Sequence, residues 1–229
     1  MAQEIGRVDP PSAAQFAGKR KLFLVPLVSE PPAEAQEGQA ILARYWEQAQ
    51  SQLAGLEVRL GAVQHVYHEA VTIGGEEGLK RLQETNTPSA RLVSWKCLGT
   101  GTLEATEDED AFLEAMDMQR LLSIPLASPK VGQRLRDWFA EGTRNRYDHI
   151  ARRIDETLGE GQVGLLIISE RHQVQFPSGI EVFYVSPPAL DELRRWLQAY
   201  LAGLQSAIEE QAKAQEAGEK GSETPDVQR

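Results

Sequence analysis

Leu165 to Ile168, an unbroken apolar run between Gly164 and Ser169, constrains the fold of this chain more than any other stretch. A run with no polar face is the pattern of a strand covered on both sides. His172 to Phe176 then alternates, with Val174 and Phe176 on one side and Gln173 and Gln175 on the other. Pro177-Ser178-Gly179 is a turn signal before a second β-rich run, Ile180 to Val185. Ser186-Pro187-Pro188 closes that strand and opens a helix, since proline is tolerated where first-turn N–H groups lack intrahelical partners. The whole stretch reads as the inner half of a sheet and the helix that covers it. It carries no evident catalytic group.

The rest of the chain supplies further strands and helices. Leu22 to Val28 is a strand preceded by Lys19-Arg20-Lys21, the charged flank expected beside a hydrophobic strand, and Pro26 places its end at a sheet edge or bulge. Leu42, Trp46, Ala49, Leu53, Leu56 and Leu60 form one helical stripe, widened by Ile41 and Tyr45 and ended by Gly61. Residues 62–73 fit either helix or strand, and their β-branched content favours strand. Gly74-Gly75 leads into a short helix, Glu76 to Glu84, and Arg91 to Leu98 fits a strand or a helical turn equally well. Thr106 with Glu109 has the spacing of a capping box for a helix through Leu122. Val131, Leu135, Trp138 and Phe139 mark a helix that Gly142 bends or interrupts, and Tyr147 to Leu158 marks a second. Leu190 to Ile208 gives the last apolar stripe. This order predicts an α/β fold with a mixed sheet of about four to six strands covered by long amphipathic helices. Its expected organisation is a flexible arm at 1–19, a single α/β domain at 20–208, with a subdivision near 125–129 as the alternative, and a flexible polar tail at 209–229.

With 229 residues the chain can bury a core without metal or disulfide staples. Its single cysteine, Cys97, excludes an internal disulfide and suits a reducing compartment, as a small buried apolar residue. Neither a signal pattern nor an apolar run long enough to cross a bilayer is present, so the expectation is a cytoplasmic protein without membrane contact. A net charge of −10 argues against general nucleic-acid binding, yet the charge is uneven. Seven acids and no base lie between Glu104 and Asp117, whereas Lys130 to Arg153 is net +4.

Chemistry-bearing residues are few. His65, His68 and Glu69 are the only cluster of metal-ligand types; on a helix they would share a face, and in a strand the two histidines point apart. His172 sits in a polar connection as a surface histidine. The loop Gly74-Gly75-Glu76-Glu77-Gly78 lacks a following Lys-Ser/Thr and places acids where phosphate would sit. No Gly-x-Ser-x-Gly elbow occurs. No catalytic residue and no cofactor are therefore assigned.

The run from Tyr147 to Trp196, including IDETLGEGQVGLLIISERHQVQFPSGIEVF, resembles the C-terminal α/β module of bacterial proteins of the archaeal–eukaryotic release-factor superfamily. The family's Gly-Gly-Gln is matched only by Gly74-Gly75-Glu76 in another setting, and its Asn-Ile-Lys-Ser tetrapeptide is absent. The resemblance thus implies an α/β module of a kind used to dock to the translation machinery, without release activity. On the helix that begins this run, Arg146, His149 and Arg153 lie along one ridge outside the apolar arc. They are solvated charges, pair with the acidic block at 104–117, or receive an acidic partner, a protein or, through its backbone, RNA or the ribosome. The expectation is a non-enzymatic binding or regulatory protein, translation-associated and docking through that ridge. A metal-dependent hydrolase using His65, His68 and Glu69 is the alternative.

Overall fold

The computed structural model describes residues 13–85 and 87–222. Five strands run through it: β1 (Arg20–Leu27), β2 (His65–His68), β3 (Thr102–Leu103), β4 (Val163–Ser169) and β5 (Ile180–Tyr184). Six α-helices connect or follow them: α1 (Gln36–Leu60), α2 (Gly75–Glu84), α3 (Pro88–Cys97), α4 (Glu109–Leu122), α5 (Pro129–Thr157) and α6 (Pro188–Ser222). The α/β class is as expected, and residues 62–73 do contain a strand.

The sheet has the spatial order β3-β2-β4-β1-β5 and every pairing is parallel. The expected mixed sheet is therefore corrected. Its origin was the alternating segment His172–Phe176, which is not a strand. Residues 170–179 carry the chain from β4 past β1, so β5 arrives parallel, pairing Arg20 with Ile180 through Leu24 with Tyr184. The alternation records packing instead: Val174 is buried and Phe176 partly buried against the core of Leu22, Leu24, Tyr67, Ile150, Ile154 and Leu166.

β1 explains Pro26 without a bulge. Its register with β4 runs the full length from Lys21–Val163 to Leu27–Ser169, whereas its pairing with β5 ends at Leu24–Tyr184, followed by a bond from Val185 N to Leu24 O. Main-chain groups alternate between the two neighbours of a parallel strand, so the N–H that Pro26 lacks would have pointed past the end of β5. The basic flank is also tied down. Lys19 pairs with Glu181 at 2.5 Å, Arg20 with Asp155 at 2.6 Å, and buried Lys21 donates to the carbonyls of Lys19 and Gly161 at 3.2 and 3.3 Å.

Helix starts follow capping chemistry. Thr87 accepts from Ala90 N and Pro88 opens α3, so the segment from Arg91 to Cys97 is helical and Leu98 caps it. Ser128 accepts from Val131 N and Pro129 opens α5, which runs unbroken through Gly142. The expected capping box at Thr106 and Glu109 is corrected: Asp108 caps α4, accepting from Ala111 N at 3.0 Å, while buried Thr106 accepts from His68 N.

The chain divides into two compact units, one comprising residues 1–29 and 46–186 and the other 30–45 and 187–229. The first holds the whole sheet. Within the second, Arg44 pairs with Glu192 at 2.5 Å, and the Trp196 ring lies so close to Gly38 that a Cβ there would stand 2.6 Å from it. The residues expected as an arm, 1–19, fall outside the described residues up to 12; those expected as a polar tail, 209–229, do so from 223.

Two glycines give a paired stability test. A Cβ on Gly78 in α2 would meet the Ile73 carbonyl oxygen at 1.7 Å, whereas one on Gly55 in α1 meets nothing within 4 Å. Gly55→Ala should stabilise by about 0.5–1 kcal/mol through helix propensity, and Gly78→Ala should destabilise by about 3 kcal/mol through overpacking. Urea unfolding of the two variants measures both.

Candidate functional site

β2 aims its odd-numbered side chains, His65, Tyr67 and Glu69, toward α5, because successive residues of a strand face opposite ways. Tyr67 confirms the direction, sitting in the core with Ile150 and Ile154 and sharing a 2.6 Å hydrogen bond with Thr157. Burial raises the Tyr67 hydroxyl well above its usual pKa. Glu69 is the first residue past β2. Its N–H still donates to Ile167 O at 2.8 Å, and its Oε2 accepts from Ser169 N at 2.6 Å. Ala70 then turns the chain with φ at +75°, a left-handed conformation that an L side chain takes at a cost of about 1 kcal/mol. Val71 N closes the turn on His68 O at 3.1 Å.

The turn brings in the acidic segment before α4. Val71 O accepts from the N–H groups of both Thr106 and Glu107, at 2.8 and 3.0 Å. The Glu107 side chain is 0% exposed, and α5 meets it with Arg146. Arg146 Nε donates to Glu107 Oε2 at 3.1 Å and Nη2 donates to Glu107 Oε1, a bidentate pair. The same Nη2 stands 3.7 Å from Glu69 Oε1, and the guanidinium lies over the Phe112 ring at 5.3 Å from its centroid. Burial opposes the Arg146 charge, but Glu107 outweighs it and the guanidinium is held more firmly protonated than usual. Glu69 goes the other way. Burial raises its pKa, Glu107 adds to the rise, and the Ser169 N–H and Arg146 only partly oppose it.

Glu69 and Arg146 form part of the wall of a cleft of ≈ 420 Å³ at the carboxyl ends of β1, β2 and β4. Leu27 and Val28 contribute apolar wall from β1, Phe112, Ala115 and Met116 from α4, and Phe139 from α5. Ser29, Gln119 and Ser169 complete the polar part. Carboxyl ends of parallel strands are where α/β sheets place their ligands. A larger cavity, ≈ 560 Å³, opens at the amino ends around Lys19, Arg20 and residues 155–160. It is the weaker candidate, since Arg20 is already paired with Asp155 and the cavity is lined mainly by charged residues and glycine.

The cluster His65, His68 and Glu69 does not assemble. His65 Nδ1 engages Glu104 Oε1 at 2.8 Å and its Nε2 engages Gln162 Oε1 at 3.1 Å, on the α5 side of the sheet. His68 points to the opposite face, where its Nδ1 bonds to the Glu69 carbonyl and its buried Nε2 has no partner among the described residues. No group of three or more metal-ligand side chains forms among the described residues. On the basic helix, Arg146 is turned inward with 11% exposure. Arg153 donates through Nε to Ala105 O and through Nη1 to Glu156, and His149 is half-buried. His172 bonds locally, its Nδ1 accepting from Val174 N at 3.3 Å, and burial lowers its pKa. Gly74 serves a close approach rather than a phosphate: a Cβ there would be 2.8 Å from Ala105 N and Leu103 O. The sequence signal for the Glu107–Arg146 pair was the acidic block facing a basic stretch; nothing singled out which members would meet.

No protein-family model matches the chain, and comparisons with curated proteins and with solved structures found no match either. No helix among the described residues is long and apolar enough to cross a membrane.

Removing one member of the buried pair leaves the other uncompensated. Arg146→Met and Glu107→Leu should each cost about 3 kcal/mol, and the two combined should cost clearly less than the sum of the single losses. Chemical denaturation of the single and double variants gives the coupling. The second expectation concerns acid. Burial pushes His68 down from 6.5 to about 4. Below the ordinary histidine pKa the unfolded chain takes up a proton that the folded chain refuses, so stability is full above about pH 6.5 and falls toward pH 4. The fall attributable to His68 should approach 3 kcal/mol, on the order set by about 1.4 kcal/mol per pH unit. Glu69, with its raised pKa, acts in the opposite sense by binding its proton more tightly when folded. Unfolding free energies of the wild type and His68→Asn between pH 7 and pH 4 should converge as the pH falls.

Proposed function

We propose that this chain is a small-molecule-binding protein without catalytic activity of its own, whose ligand enters the cleft at the carboxyl ends of β1, β2 and β4. One observation carries the proposal: the Glu69 carboxylate, anchored by Ser169 N at 2.6 Å, stands in the wall of an apolar cleft with one oxygen not hydrogen-bonded to its neighbours. A few placed polar groups on a mostly apolar lining are what a specific small-molecule site needs, and ≈ 420 Å³ is within the size of such sites. Binding is favoured over catalysis because, among the described residues, no histidine, cysteine or lysine lines the cleft to act with Glu69 as nucleophile or second acid–base group. Docking of an acidic protein, RNA or the ribosome on the ridge of Arg146, His149 and Arg153 is less favoured, because Arg146 is committed inward to Glu107. A translation-linked role rests on the sequence resemblance alone.

The test is a fragment screen read by saturation-transfer NMR on the full chain, repeated on Gln119→Trp. Gln119 is exposed on α4 and lines the cleft, so an indole there obstructs the opening while leaving the core intact. Fragments that bind the wild type should lose binding in Gln119→Trp and should raise the melting temperature of the wild type alone. Hits that bind both proteins equally would place the site elsewhere.

A further inference from the structure

The charges around the cleft discriminate among ligand head groups. Two carboxylates, Glu69 and Glu107, share one guanidinium, Arg146, and leave an excess of negative charge when all are ionised. Glu107 is wholly buried and takes two hydrogen bonds from Arg146. Glu69 is the carboxylate that reaches the cleft. Its Oε2 is occupied by Ser169 N, while its Oε1 is 3.7 Å from Arg146 Nη2, beyond hydrogen-bond range. Open to the cleft, that oxygen can accept from a donor carried by a ligand. An anionic head group would put a third negative charge beside a single guanidinium, and a neutral donor would satisfy the oxygen but leave the charge excess. A protonated amine does both.

We infer that the ligand of this cleft is a primary amine on an apolar body, its ammonium donating to Glu69 Oε1 and its body lying against Phe112, Ala115 and Met116. The inference rests on the binding reading above and names the chemistry of that ligand. Burial and Glu107 raise the Glu69 pKa, so in the pH range where Glu69 is protonated an incoming ammonium must displace its proton. The groups facing Glu69 are Arg146 and Tyr147 from α5 and Glu107 from the segment before α4. Arg146 keeps its charge across the whole range and the raised Tyr147 hydroxyl stays protonated, so Glu69 is the group whose titration shapes binding. Amine affinity therefore rises with pH through the Glu69 titration, and binding at lower pH releases protons.

Three probes of matched shape test this: 3-phenylpropylamine, 3-phenylpropanol and 3-phenylpropionate, titrated calorimetrically into the full chain in buffers of different ionisation enthalpy. The amine should bind about tenfold or more tighter than the alcohol, with the carboxylate weakest. Its affinity should increase with pH and its apparent enthalpy should vary with buffer as protons leave. Glu69→Gln, which keeps shape and removes charge, should abolish the preference for the amine and flatten the pH profile; the profile of the unaltered protein is an independent readout if that variant folds poorly. Tighter binding of the alcohol or the carboxylate, lost in Gln119→Trp, would overturn the amine assignment while leaving the cleft as the site. Binding of none of the three probes, or amine binding that survives Gln119→Trp, would overturn the cleft and the amine together.

Discussion

Parallel pairing governs this molecule. A strand cannot meet a parallel neighbour by turning back on itself, so the chain must return to the same end of the sheet each time. Here β1 lies between β4 and β5, strands more than a hundred residues further along the chain, and β2 lies between β3 and β4. All segments leaving the strands consequently gather at one edge. Ser29 after β1, Glu69 and Ala70 after β2 and Ser169 at the end of β4 are neighbours for that reason, and the cleft is the space they share with α4 and α5. Helix packing on one face supplies its apolar wall, and strand ends supply its main-chain donors.

Charge inside that space behaves differently from charge outside it. Glu77 with Arg81 and Asp117 with Arg120 are exposed pairs within single helices, where water and salt screen most of the attraction. Glu107 and Arg146 meet with almost no exposure, so loss of either would leave the other charge buried and uncompensated. Once Arg146 is committed to Glu107, it can give Glu69 only a distant, partial compensation. The raised pKa of Glu69 therefore owes most to burial, which the better-matched pair beside it leaves only partly offset. His68, one residue earlier, is more deeply buried, on the opposite face of the sheet, and burial lowers its pKa so that the neutral imidazole is favoured.

Much of the fold was legible in the sequence because the signals were local. The apolar run at Leu165–Ile168, the stripe along α1 and the prolines that open α6 each state what their own segment does, whereas Pro88 and Pro129 read only as breaks. Pairing direction was not legible, since Val174 and Phe176 alternate in the same way whether they belong to a strand or lean on a core. Thr106 illustrates a related limit: its spacing to Glu109 is right for a cap, yet its hydroxyl is taken by the main chain of β2, and Asp108 caps instead. Of the site, Glu69 and Arg146 were both noticed, for chemistry they do not share here. Glu69 was grouped with two histidines by proximity in sequence, and Arg146 with the helix ridge. What joins them is Glu107, 39 residues from Arg146 and the member of a dense acidic block that happens to be folded inward.

Ala70 has a consequence for how fast a ligand comes and goes. Its left-handed backbone, the bond from Glu69 N to Ile167 O and the grip of Ser169 N on the carboxylate together fix the direction of Glu69. A side chain held at three points has little rotational freedom left to surrender when a ligand arrives, so the entropy of orienting it belongs to folding rather than to association. The encounter needs no rearrangement at this carboxylate. Ligands that fit the cleft differently should then differ mainly in how long they stay, with residence time rather than capture rate setting their rank.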